Sequence, residues 1–367
     1  MRQRVGVILG GQSAEHQVSL QSARNIIAAI DKTLFEVVVL AVTRQGKWWL
    51  LPTEHFLKNS QDPRNISLPE SGTELVLIAG DPHHQFQHRD SQTPLPAIDV
   101  IFPIIHGSLG EDGSLQGLLR ILDLAWVGPG VLSSAMAMDK EVTKRLLRDS
   151  GLNIAPFISI TRANQHQFTA EQIIAVLGLP LFVKPANQGS SVGVHKVWNA
   201  DGLIPAIQDS LRYDRKILIE SAIIGREIEC AVLGNDWPEA SVCGEIVLVD
   251  EYYSYDTKYI NDQGAKVVVP AEISADNQQK IRQIALQVYR SLECCGMARV
   301  DVFLTPDDQV IVNEINTLPG FTDISMYPKL WEASGLNYQD LITRLIELAI
   351  ERHQQDKQIA SNVLTLH

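Results

Sequence analysis

Apolar positions near the start of the chain arrive in two alternating periods. Arg4–Leu9 is a nearly continuous apolar run that ends at Gly10-Gly11, as expected of a strand buried on both faces. Ser19–Ile30 spaces Leu20, Ala23, Ile27 and Ile30 as one helical stripe, and Phe35–Val42 is a second apolar run. Arg44-Gln45-Gly46-Lys47 predicts a hairpin turn before Trp48-Trp49. Ile98–Ile105 predicts a further strand, closing at His106-Gly107, and Ser114–Leu122 a helix with Leu115, Leu118, Leu119 and Leu122 on one stripe. Strands alternating with helices predict a doubly wound parallel sheet with right-handed crossovers. Residues 53–96 are rich in Pro, Asp, His and Gln and read as loops over one edge. His83, His84 and His88 lie in that stretch without periodicity or orienting carboxylates, so they read as solvated residues rather than metal ligands.

The pattern changes after a helix over Met138–Ser150, which Gly151 ends. Short strands follow at Leu181–Lys184, Val194–Val197, Lys216–Glu220, Glu227–Leu233 and Ala240–Val249, then a helix over Gln278–Leu292. Two strands, Ala298–Leu304 and Val310–Ile315, are joined through Pro306-Asp307-Asp308, and a terminal helix covers Tyr338–Glu351 before a polar tail from His353 that reads as frayed. The expectation is an α/β N-terminal domain over 1–139 and a two-lobed α+β body over 140–227 and 228–367.

The last strand pair carries the most chemistry. Side chains alternate faces along a strand, so Arg299 shares a face with Asp301, and Glu314 with Asn316. If the strands pair, three oxygen ligands and a guanidinium converge. Hard oxygen ligands suit Mg²⁺, which completes its shell with water and substrate phosphates. A metal–nucleotide is the most economical reason for polar groups on an otherwise apolar strand.

Charge and composition narrow the field. A net charge of −12 argues against a nucleic-acid partner, which needs clustered Lys and Arg. Any anionic substrate must then be held by a few well-placed cations. The apolar run Val5–Leu9 is too short for a signal-peptide core, and no stretch reaches the length of a membrane span. Cys230, Cys243, Cys294 and Cys295 lack zinc spacing, which fits reduced thiols in a cytoplasmic protein.

Other segments add candidate contacts. Lys184-Pro185 leads into a loop with Gly189, Ser190, Ser191 and Gly193, which can surround phosphates with a cation and backbone N–H groups, although it is not a Walker A loop. Lys140, read alone, is a surface charge. Glu220 and Glu227 bracket a turn at Gly225, where a carboxylate can accept from an adenine amine or a ribose hydroxyl. Gly10-Gly11-Gln-Ser13-Ala-Glu15 joins strand to helix, and Glu15 would repel an anion there and attract an ammonium. His106–Gly113 sits at a strand's carboxyl end, where open α/β sheets bind ligands. The aromatic segment Tyr252–Tyr259 would make a lid that excludes water.

The ordered motifs GGQSAEHQVSL, HGSLGEDGSLQG, MDK, VKPANQGSSVG, YDTKY, ARVDVF and NEINTLPGFT resemble those of the D-alanine–D-alanine ligases of the ATP-grasp superfamily, from residue 4 to about residue 350. The resemblance implies an N-terminal domain before two ATP-grasp lobes and ATP-dependent joining of two D-alanines for peptidoglycan precursors. It implies that Lys140, Lys184, Gly189, Ser190, Ser191 and Lys258 meet the ATP phosphates, and Glu220 and Glu227 the adenosine. Asp301, Glu314 and Asn316 would ligate two Mg²⁺ ions, with Mn²⁺ as a substitute. Glu15 would take the first D-alanine's ammonium beside Ser190 and Tyr259, with His106 nearby. Arg299 and the Gly320 N–H would stabilise the oxyanion, and Ser325 and Lys258 would meet the second carboxylate. A cytoplasmic homodimer without nucleic-acid or membrane partner is expected. Residues 43–96 are longer than in the shorter members, and Ser221-Ala222 follow Glu220 where some relatives carry an aromatic adenine-stacking residue. The alternatives are another ATP-grasp carboxylate–amine ligase, or a nucleotide-dependent scaffold without turnover.

Overall fold

In the computed structural model, which describes residues 2–248 and 265–364, the strands form three separate sheets. The first is built from β1 (Gln3–Gly10), β2 (Phe35–Val42), β3 (Trp48–Leu51), β4 (Thr73–Leu77), β5 (Phe86–His88), β6 (Val100–Pro103) and β7 (Ala125–Trp126), in the order β5-β4-β3-β2-β1-β6-β7. Helices α1 (His16–Ala29) and α2 (Ser114–Ile121) are its crossovers. The apolar strands β2, β1, β6 and β7 pair in parallel.

The remaining edge corrects the expectation for residues 53–96. Thr43 N–H donates to the Lys47 carbonyl at 2.9 Å, closing the expected hairpin, and β3, β4 and β5 continue the sheet antiparallel. Their side chains Leu51, Leu75 and Phe86 are buried, but β4 and β5 are only five and three residues long and stand among Pro, Asp, His and Gln, which disguises them as loop. The sheet is therefore mixed rather than wholly parallel. His88 lies in β5, and the His84 ring meets Asp81 at 3.1 Å.

Helix α4 (Lys140–Asp149) answers to the helix expected over Met138–Ser150, and a further helix, α3 (Val131–Met138), precedes it. Extended Asp139 separates them and caps α4, its carboxylate accepting from the N–H groups of Glu141 and Val142. The second sheet follows: β8 (Phe157–Thr161), β9 (Leu181–Pro185), β10 (His195–Val197) and β11 (Lys216–Ser221), antiparallel in the order β10-β9-β11-β8. Helices α5 (Ala170–Leu177) and α6 (Ala200–Tyr213) cover it. Neither was anticipated. Gly202 and Pro205 punctuate α6 like breakers, yet Asn199 caps the first turn and the helix continues through Pro205, its buried face packed on the sheet.

The third sheet runs β14-β13-β12-β15-β16, from β12 (Arg226–Gly234), β13 (Glu239–Leu248), β14 (Ala265–Val268), β15 (Gly296–Leu304) and β16 (Val310–Asn316). One face presents Ile228, Cys230, Val232, Val300 and Val302 to α7 (Ala275–Ser291) and to Leu147 of α4. Cys230 and Cys243 stand opposite each other as free thiols. The other face is divided along β12. Ala231 and Leu233 join the core under α8 (Met326–Ala333) and α9 (Tyr338–Leu364), whereas Glu227 and Glu229 open into a cavity.

Helix α9 also corrects the expected fraying. It continues to Leu364 because its C-terminal half has partners on the first sheet. Arg352 donates to the carbonyls of Gly128 (2.5 Å) and Trp126 (2.8 Å) and stacks 4.6 Å from the Trp126 ring centroid. Asp123 receives Lys357 at 3.0 Å. No described helix is long and apolar enough to cross a membrane.

Phe321 ties the layers together: it is fully buried, with its ring 5.9 Å from Phe102 of β6, 5.7 Å from Tyr327 of α8 and 6.2 Å from Tyr338 of α9. Phe321→Ala is therefore expected to lower unfolding free energy by about 3–5 kcal/mol, read as a lower denaturant midpoint. A loss below about 1 kcal/mol would show that the ring is not a joint between the sheets.

Candidate active site

The antiparallel register builds the site. Arg299 pairs with Asn316 and Asp301 with Glu314 across β15 and β16, while Glu229 of β12 lies opposite Asp301. Directly paired residues project to the same side, so Glu227, Glu229, Asp301 and Glu314 crowd one face. Arg299 sits among them: its guanidinium donates to both Asp301 oxygens at 2.7 Å and meets Glu229 at 2.9 Å. Lys140 reaches Glu314 from α4 at 3.9 Å and donates to the Gln188 carbonyl at 2.9 Å.

The turn after β16 is held from several directions. The Asn316 amide oxygen accepts from Leu318 N–H at 3.2 Å, and Ser22 Oγ of α1 accepts from Phe321 N–H at 3.2 Å. Asn25 and Tyr338 both donate to the Phe321 carbonyl, at 3.0 and 2.9 Å. Gly320 therefore lies on a fixed backbone, and a Cβ there would stand 2.7 Å from Ser325 Oγ. Ser325 is the cap residue of α8, whose N-terminal end faces the same cavity. That end carries the positive pole of the helix dipole, which suits an anionic ligand.

The opposite wall comes from the first sheet and the Gly/Ser loop. Ser190 and Ser191 adopt left-handed backbone conformations, at φ +51° and +59°. Ser190 Oγ donates to Glu15, which is 8% exposed. Ser13 Oγ donates to the His106 carbonyl at 2.6 Å. The His106 ring meets Glu111 at 3.2 Å and Ser22 at 3.2 Å. Burial alone would push the His106 pKa down, but Glu111 and Glu15 reverse this and raise it.

Beneath the cavity two lysines share one carboxylate. Lys184 of β9 approaches one oxygen of Glu220 (β11) at 2.8 Å, and Lys144 of α4 approaches the other at 3.2 Å. Burial opposes ionisation of Glu220, but the two ammonium groups hold its pKa down to about 2. Glu220 lies below the wall rather than in it, whereas Glu227 lines the cavity.

The cavity encloses about 570 Å³. Its lining brings together Glu15, His106, Lys140, Gly189, Ser190, Glu227, Arg299, Asp301, Glu314, Asn316, Gly320 and Ser325. Lys184 and Ser191 are outside the lining, and Lys258, Tyr259 and the segment Tyr252–Tyr259 are outside the described residues. Among the described residues no cluster of His, Cys, Asp or Glu is already closed around a metal position, since the Asp301 oxygens are turned to Arg299. Two carboxylates and an amide oxygen nevertheless form the hard-oxygen set that fits Mg²⁺. Glu229 and Lys144 were not singled out in the sequence. Glu229 was the more legible of the two, since it lies two residues beyond Glu227 on the same strand face.

Comparison with known proteins decides the family. A D-ala D-ala ligase N-terminus model matches residues 4–129, and a D-ala D-ala ligase C-terminus model matches residues 146–347. The chain belongs to the D-alanine–D-alanine ligase family. D-alanine–D-alanine ligase A of Escherichia coli K12 is 59% identical over 360 residues, covering 98% of this chain and 99% of that protein. The Shouchella clausii D-alanine–D-alanine ligase is 55% identical over 362 residues, covering 99% and 98%. Among solved structures, the D-alanine–D-alanine ligase of Coxiella burnetii superposes with a TM-score of 0.87 at 37% identity, covering 99% of this chain and 98% of that one. The VanG D-Ala:D-Ser ligase of Enterococcus faecalis superposes at 0.84 and 33% identity, covering 95% and 100%. The expected family is thus correct, together with its N-terminal α/β unit and antiparallel body.

Glu220 supplies a pH test in this ligase-family chain. Its depressed pKa contributes stability that is complete above its ordinary value of 4.5 and is lost as pH falls toward about 2, worth about 3 kcal/mol in total. Unfolding free energies measured across that window should therefore fall less steeply in Glu220→Gln than in the wild type. Identical slopes would show that Glu220 is not held ionised.

Proposed function

We propose that this chain joins two molecules of D-alanine into D-alanyl-D-alanine, consuming ATP and forming ADP and phosphate, for peptidoglycan precursor synthesis. The observation that carries this reading is the opposition of two walls. A guanidinium among four carboxylates faces an acidic anchor (Glu15) and a Gly/Ser loop across one cavity. Such a site can neutralise phosphates, seat an ammonium and stabilise a carbonyl oxygen.

Amide formation from a free carboxylate needs activation. An oxygen of the first D-alanine's carboxylate attacks the γ-phosphorus of ATP, the bond to the β-phosphate oxygen breaks, and ADP leaves an acyl phosphate. Lys140 and Lys184 lower the repulsion between these anions, with backbone N–H groups of Gly189, Ser190 and Ser191 around the phosphates. Asp301, Glu314 and Asn316 would hold two Mg²⁺ ions, or Mn²⁺ in their place, which supply charge neutralisation for phosphoryl transfer when bound. Glu227 and Glu220 take the adenosine end.

Glu15, with Ser190 beside it, receives the first D-alanine's ammonium near His106. The second D-alanine, its nitrogen deprotonated, attacks the acyl carbon. Arg299 and the Gly320 N–H meet the charge on the carbonyl oxygen, each donor worth about 3 kcal/mol of barrier. The C–O bond to phosphate then breaks, the nitrogen passes its extra proton to the departing phosphate, and the dipeptide and phosphate remain. Ser325 and Lys258 take the second carboxylate, and Tyr259 completes the cluster at Glu15 and Ser190. Excluding water protects the acyl phosphate, a task given to the Gly189–Gly193 loop and the Tyr252–Tyr259 segment.

We further propose three working units over 1–139, 140–227 and 228–367, in a cytoplasmic homodimer without nucleic-acid or membrane partner. The charge of −12 supports excluding a polyanion. The VanG D-Ala:D-Ser ligase gives a second reading, a different acceptor for the same acyl phosphate.

Phosphate release measured with D-alanine, D-serine, L-alanine and D-lactate separates these readings. D-alanine alone should support turnover, and turnover without any D-alanine would overturn the assignment. Arg299→Ala should reduce ligation by roughly a hundredfold or more, the scale of a lost oxyanion donor, while ATP binding stays within about threefold. Near wild-type turnover in that variant would remove Arg299 from the oxyanion role.

A further inference from the structure

Lys184 is engaged where it cannot serve a nucleotide. Its ammonium sits 2.8 Å from Glu220, yet the proposed function needs it at the phosphates. If it left alone, Glu220 would remain as a buried carboxylate without compensation, a state that folded proteins avoid. Lys144 removes that difficulty. It approaches the opposite carboxylate oxygen at 3.2 Å, so the two lysines do not compete for one acceptor.

The two ammonium groups differ in freedom. The Lys144 side chain is 2% exposed and the Lys184 side chain 16%, so Lys184 is the less enclosed of the two. Lys140 and Lys144 lie one turn apart on α4. The first lines the cavity, and the second lies behind it. Neither the Lys144 ammonium nor the facing Glu220 oxygen makes a well-formed hydrogen bond in this arrangement. The contact is electrostatic and has room to tighten once Lys184 departs. Burial lowers the Lys144 pKa, Glu220 opposes that shift, and the like charge of Lys184 adds to it. The departure of Lys184 therefore favours the protonated form of Lys144.

We propose that Lys144 is a positioning residue for the nucleotide: it is the resident counter-ion of Glu220, and it releases Lys184 from that carboxylate to the ATP phosphates. This rests on the reading of Lys184 and Glu220 as nucleotide contacts. Lys144 itself never touches the ligand. Its removal weakens nucleotide binding through Glu220, and Lys184 then stays with the carboxylate.

A double-mutant cycle on the full chain tests the assignment. Affinity for the non-hydrolysable analogue adenylyl imidodiphosphate with Mg²⁺ is measured by calorimetry in wild type, Lys144→Met, Glu220→Gln and the double variant. Lys144→Met should weaken binding at least tenfold in the wild-type background and less than threefold in the Glu220→Gln background. Its KM for ATP should rise while kcat changes less than threefold. Lys184, Lys140, Glu227 and Glu314 are the other charged groups facing this region. An equal loss in both backgrounds, or no loss at all, overturns the assignment of Lys144. Should Lys144→Met fail to fold, Lys144→Gln enters the same cycle with the same two expectations. If the wild type itself binds no analogue, the proposed function fails and takes this inference with it.

Discussion

Four carboxylates on one face of a single sheet are the constraint around which the rest is arranged. The pairing of β12, β15 and β16 fixes Glu229 opposite Asp301 and Asp301 opposite Glu314, with Glu227 one pleat away. Like charges at such spacing repel, and a low-dielectric surrounding makes that repulsion costlier. Arg299 answers two of them directly, and Lys140 stands near a third. Such a gathering of carboxylates suits a site that takes divalent ions with a polyphosphate.

The surrounding layers keep that face in place. The reverse of the sheet is apolar and packed on α7, so the acidic side chains cannot exchange faces without exposing the core. Phe321 and the hydrogen bonds to its backbone fix the Gly320 turn against both α1 and α9. The Gly/Ser loop meets Glu15 in the wall opposite the acidic face, which joins the second sheet to the first. The site therefore draws on all three sheets, so the pocket depends on the arrangement of the whole chain.

Much of this was legible because local pattern and global fold agree. Strand alternation alone aligned Arg299 with Asp301 and Glu314 with Asn316, and the pairing followed from the short connection between the strands. The strands β4 and β5 are hard to read because they are only five and three residues long and stand among Pro, Asp, His and Gln. Helix α6 is hidden by Gly202 and Pro205, whose breaking effect is overcome by the packing of Leu203, Ala206, Ile207 and Leu211 on the second sheet. The C-terminal half of α9 looked frayed, since Arg352 and Lys357 gain their partners only from the distant strand β7 and Asp123. Lys144 lies four residues after Lys140 on the same helix, with nothing in the pattern to single it out. Its burial arises only when β11 brings Glu220 beneath α4, and no local sequence signal carries that contact.

The central claim, that this acidic face holds metal–nucleotide, is tested most directly by a crystal structure with ADP and Mn²⁺, using the anomalous signal to locate the ions. The account predicts two peaks bridged to the nucleotide phosphates, with carboxylate oxygens of Asp301 and Glu314 and the amide oxygen of Asn316 about 2.0–2.3 Å away. Ions bound elsewhere, or ADP bound with Asp301 still turned fully to Arg299 and no metal beside it, would contradict it.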